Sequence, residues 1–108
     1  MNPLWLAFQE AMVNGHFFQA HEILEDFWRQ TRDSRAQTAI WVAAAFVHWQ
    51  RGNFKGAMRL FTRVHQATSP ELSGDVEPWL FAVQHRSPLI PPSIEQLKHL
   101  ESWARHQA

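Results

Sequence analysis

An all-α fold is what this sequence predicts: a compact multi-helix bundle of two packed helical hairpins plus C-terminal helices. Apolar residues recur at three-to-four spacing through successive segments. No stretch alternates convincingly with period two. Residues that stop and start helices stand between the segments.

The elements follow in order. Asn2 with Pro3 reads as an N-cap followed by proline at the first helical position. Leu4, Trp5, Phe8, Ala11 and Met12 carry a first helix to about Val13, where Asn14-Gly15 stops it. A second helix runs from Phe17 to Thr31, with Phe17, Ala20, Leu24, Phe27 and Trp28 on one side and Glu22, Asp26, Arg29 and Gln30 on the other. Asp33 or Ser34 caps a third, from about Arg35 to Arg51. It is apolar almost all round and therefore central. Its polar residues Gln37, His48 and Arg51 share one stripe with Trp41 and Ala44.

Asn53 caps a fourth helix, from Phe54 to about Ala67, with Lys55, Arg59, Arg63 and Gln66 on its outer face. A loop is expected from Ser69 through Gly74, then a short fifth helix capped by Asp75 with Pro78 near its first turn. The prolines of residues 87–92 impose extended chain, and Ser93 with Gln96 forms a capping box for a last helix to about Trp103. Gly15-x-Phe17-x-x-Ala20 returns as Gly52-x-Phe54-x-x-Ala57, a weak repeat that fits two hairpins better than a solenoid.

At 108 residues the chain is expected to be one domain, with a two-hairpin core over 1–68 and a C-terminal loop and short helices over 69–108. Ten basic and ten acidic residues cancel, which argues against nucleic acid or an anionic membrane as partner. The absence of cysteine excludes disulfides, thiol chemistry and thiolate metal sites. With no secretory signal and no apolar run near the roughly 20 residues of a membrane span, a cytoplasmic location is expected.

His21 lies inside the apolar arc of the second helix, with Glu25 one turn on, so the carboxylate can accept from the imidazole. His48, on the central helix, can face the same cleft. A His–Glu–His cluster of this kind could hold a divalent metal or place a base beside water, although His21-Glu22-x-x-Glu25 is not zinc-protease spacing. The simpler reading buries His21 at a helix contact, satisfied by Glu25 and a backbone carbonyl. The row Arg51, Lys55, Arg59 and Arg63 reads as a solvated basic edge. His16, His65, His85, His99 and His106 read as turn or surface residues.

The run Gly15-x-Phe17-Phe18-x-Ala20-His21-Glu22-x-Leu24-Glu25-x-x-Trp28, followed by Arg51-Gly52-Asn53-x-x-Gly56-Ala57, resembles the bacterial and archaeal domain-of-unknown-function 309 family. The resemblance covers roughly Phe8 to Val64 and implies a small all-helical bundle; it implies no activity, since none is established for the family. Thr38 stands where the family pattern has glycine, and Trp41 where it has a later glutamine. A family pocket built on that glutamine is therefore expected to be altered here and filled by indole.

The candidate pocket comprises His21, Glu22, Glu25, Gln37, Trp41 and His48. The favoured function is a non-catalytic interaction or small-ligand-binding module, with no cofactor and with self-association through Trp5, Trp79 and Trp103 as an open option. The alternative is a small hydrolase-like or metal-binding enzyme that uses His21, Glu25 and His48. Substrate, partner and reaction are not legible in the sequence.

Overall fold

A computed structural model describes residues 3–106, apart from the side chains of residues 34, 35, 105 and 106. The described residues form six helices and no strand: α1 (Pro3–Val13), α2 (Phe17–Thr31), α3 (Ser34–Gln50), α4 (Phe54–Thr68), α5 (Ser73–Gln84) and α6 (Ile94–His106). Each of the first five packs on a sequence neighbour, and α6 returns to lie against α3 and α1. The expected Asn2 cap lies outside the described residues.

Three of the helix ends close in the same way. After α1, the Gly15 N–H donates to Met12 O and the His16 N–H to Ala11 O, with Gly15 at φ 79. After α3, Gly52 donates to Trp49 O and Asn53 to His48 O, with Gly52 at φ 78. After α5, Arg86 donates to Val83 O and Ser87 to Ala82 O, with Arg86 itself left-handed at φ 53. This paired pattern satisfies the last carbonyls of a helix and reverses the chain in very few residues, which is why the two hairpins are tight. The Gly-x-Phe-x-x-Ala repeat is this turn plus the next helix start: Ala20 and Ala57 are both fully buried where the following helix meets its partner.

The core is aromatic. Phe46, fully buried on α3, stacks on Phe17 of α2 at 5.1 Å and on Trp49 at 5.6 Å. It meets Phe61 of α4 and Trp79 of α5 edge-on, each at 5.3 Å. One ring thus joins four helices, in the offset and edge-to-face arrangements that aromatic quadrupoles favour. The same core cluster takes in Phe8 and Met12 of α1 and Leu97, Leu100 and Ala104 of α6. Buried Gln9 of α1 donates to Glu101 of α6 at 2.9 Å, so the last helix is tied back by a polar bond as well.

Differences from expectation are local. The loop after α4 ends at Leu72, not Gly74, and Asp75 lies in the first turn of α5 instead of capping it. Leu72 takes the N-cap position without a side-chain bond, because its side chain is buried and its N–H donates to Thr68 O. Pro78 is consequently well inside α5, where it lacks a donor for the carbonyl of Gly74, an exposed residue that water can reach. Trp5 and Trp79 are not spare aromatics for a partner. Trp5 is buried against Phe8 at 5.6 Å, and Trp79 against Phe46 and Phe61. The capping box at Ser93 forms as expected, with Gln96 N–H donating to Ser93 Oγ and Ser93 N–H to Gln96 Oε1.

Since one ring joins four helices, Phe46→Ala is expected to cost about 3–5 kcal/mol. Urea unfolding should show a lower midpoint at unchanged slope.

Candidate functional site

Helix α3 is covered on most of its circumference. Ala36, Ala39, Ile40, Val42, Ala43, Ala45, Phe46, Val47 and Trp49 are all buried. Its half-exposed positions include Gln37, Trp41, Ala44 and His48, and exposed Arg51 follows just past its end. These residues, at steps of four, three, four and three, lie on one side of the helix. Helices α2 and α4, both packed on α3, flank this outward stripe, and the space along it forms a groove around His48, because Phe46 and its neighbours turn the opposite face inward.

Between α2 and α3 the groove holds a shallow cleft of about 150 Å³, lined by Phe18, His21, Ala44, Val47, His48 and Arg51. The two histidines therefore open on one space, separated by neither Trp41 nor Trp28. His21 is not sealed in a helix contact; its side chain is 24% exposed, with Nε2 3.6 Å from Glu25 Oε1. Glu25 is shared with Arg29, whose Nη2 lies 3.5 Å from Oε2 and 3.4 Å from Asp26 Oδ1. The Arg51 guanidinium lies 5.7 Å from the centre of the Phe18 ring, which keeps this cation at the cleft mouth.

The remaining candidates are placed apart. Glu22 is exposed, and neither it nor Glu25 lines the cleft. Gln37 and Trp41 belong to the stripe but do not line this cleft. Trp41 instead carries the Arg63 guanidinium on its face at 5.3 Å. Among the described residues no group of three or more His, Asp or Glu side chains is placed to hold a metal ion.

His48 is held by a device that the sequence reading overlooked. Asn53 closes α3 and opens α4 at once: its N–H donates to His48 O, and its Oδ1 accepts from the Gly56 N–H at 3.0 Å as the cap of α4. With Oδ1 taken by a donor, Asn53 must offer Nδ2, and it lies 3.0 Å from His48 Nδ1. Nδ1 then has to accept, which puts the imidazole proton on Nε2. Gly56 makes room for this contact. A Cβ there would come within 2.7 Å of Asn53 Nδ2 and 3.1 Å of His48 Nδ1. A glycine inside a helix, three residues after an asparagine cap, was the available signal.

A second cleft, of about 350 Å³, lies beyond the His48 ring between α3 and α4, lined by His48, Asn53, Lys55, Gly56, Arg59, Leu60 and Arg63. His48 is the wall common to both clefts. Two further histidines join helices instead of lying idle. His65 of α4 meets Glu77 of α5 at 3.2 Å, and His99 of α6 meets Asp75 of α5 at 3.0 Å.

The family model described as "Domain of unknown function (DUF309)" matches residues 5–60. The chain belongs to this family. The DUF309 match includes His21, Glu25, His48, Asn53, Gly56 and Arg59 and stops short of Arg63. No curated protein and no solved structure matches the chain.

Two helical glycines give opposite expectations. Gly74→Ala, with nothing within 4 Å of the added Cβ, should stabilise the protein by about 0.5 kcal/mol. Gly56→Ala should instead destabilise it by about 1–2 kcal/mol, since the clash breaks the Asn53 cap and its bond to His48. Paired thermal melts of the two variants measure the difference.

Proposed function

We propose that this DUF309 protein is a non-catalytic binding module whose ligand seats in the cleft shared by His21 and His48. The observation that carries the reading is the joint opening of these two imidazoles, from different helices, onto one partly apolar space with Phe18, Ala44, Val47 and Arg51. The rest of the bundle supports it. The floor of the cleft belongs to the most deeply packed helix, and the His48 ring is fixed in tautomer and position by Asn53. A preorganised polar group in a small apolar depression is the usual composition of a ligand site.

An enzyme built on His21, Glu25 and His48 is supported less well. Such chemistry needs Glu25 either at the reacting centre or firmly orienting His21, and its contact with His21 Nε2 is long at 3.6 Å and shared with Arg29.

Titration of small aromatic fragments into ¹⁵N-labelled protein is expected to shift the amides of Phe18, His21, Ala44 and His48 together. Shifts scattered over other helices would refute the reading. His21→Ala should cost less than about 1 kcal/mol in stability, since its pair with Glu25 is long and partly solvated. The same variant should lose the fragment response.

A further inference from the structure

The second cleft has a one-sided chemistry. Lys55, Arg59 and Arg63 line it and no carboxylate does. The three cations recur every four residues along α4, so their backbone positions are about 6 Å apart. Among the described residues none of them, nor Arg51, pairs with an acidic side chain, although the chain as a whole is neutral. Cation–π contacts hold two of these guanidinium groups over the groove, Arg63 on Trp41 and Arg51 on Phe18.

The polar atoms between them are donors as well. Asn53 Oδ1 accepts from the Gly56 N–H, and Asn53 Nδ2 gives one of its two hydrogens to His48 Nδ1, keeping the other as a donor. That leaves His48 Nε2–H as the free position of the ring, a donor that no described residue engages. The best complement to three cations and one fixed N–H is an acceptor with more than one charge. A phosphate monoester has three terminal oxygens and about −1.5 to −2 charge near neutral pH, where a carboxylate has two oxygens and one charge. His48 is also the wall shared with the smaller cleft, whose lining of Phe18, Ala44 and Val47 suits an apolar or aromatic substituent.

We propose that the groove binds a small organic phosphate monoester, with its phosphate among His48, Lys55, Arg59 and Arg63 and its apolar substituent over Phe18, Ala44 and Val47 of the smaller cleft. The proposal rests on the binding-module reading above and names its ligand class.

The test uses the full chain with three probes at matched ionic strength: phenyl phosphate, inorganic phosphate and benzyl alcohol. Amide shifts and calorimetry follow binding. Phenyl phosphate should bind tighter than either of the others, shift amides on both sides of His48, and weaken as salt is added. Arg59→Gln changes an exposed side chain and should fold normally. It is expected to weaken phenyl phosphate about fivefold while leaving benzyl alcohol unaffected. Phenyl phosphate binding no tighter than benzyl alcohol, or unaltered by Arg59→Gln, overturns the phosphate assignment alone. If benzyl alcohol and phenyl phosphate both leave the amides of Phe18, His21, Ala44 and His48 unmoved, the binding-module reading falls with it.

Discussion

The structure depends on the Phe46 ring. By stacking on Phe17 and Trp49 and standing edge-on to Phe61 and Trp79, it sets how α2, α4 and α5 are arranged around α3. A helix fixed so firmly on one side has little freedom on the other. The outward stripe of Trp41, Ala44 and His48 is left between two flanking helices that approach the core but do not meet over it. The groove is thus a by-product of aromatic packing, and its rigidity comes from the same source. Polar groups placed on such a floor need not be ordered by a ligand, which lowers the entropic cost of binding.

The two copies of the Gly-x-Phe-x-x-Ala turn show how one backbone device can carry different chemistry. Both glycines are left-handed, both alanines are fully buried, and the paired hydrogen bonds match. In the first copy the residue after glycine is His16, which makes no side-chain cap. In the second it is Asn53, which caps α4 and holds the His48 ring. The second copy also has Gly56 where the first has Gln19, and a side chain there would crowd the Asn53 amide that holds the ring. The turn builds a hairpin in both places, and at one of them it also orients a side chain.

Most of the fold was legible in the sequence because its signals are local. Glycine and proline punctuate nearly every helix, and α2 begins and ends where its periodicity does. The start of α5 was misjudged because Leu72 begins the helix through burial and a backbone bond to Thr68, and neither leaves a capping residue to read. Trp5 and Trp79 look spare in the sequence because partners from other helices complete their burial: Phe27 of α2 beside Trp5, and Phe46 and Phe61 against Trp79. The site divided along the same line. The α3 stripe could be read from spacing alone, whereas the Asn53–His48 contact requires the rotation between α3 and α4. The basic row of α4 read as solvated surface because its sequence does not show that it borders a cleft.

Tight turns between successive helices also bear on how the chain reaches this structure. Contacts between sequence neighbours close short loops, which cost little entropy and permit fast folding. The return of α6 to α1 is different, since it joins Gln9 to Glu101 across almost the whole chain. The α6 contacts are therefore the ones with the largest loop-closure cost. Fraying from the C-terminal end would uncover Ala104, then Leu100 and Leu97, while the aromatic centre stays packed. The groove lies on α2, α3 and α4, inside the part of the chain that such fraying leaves intact.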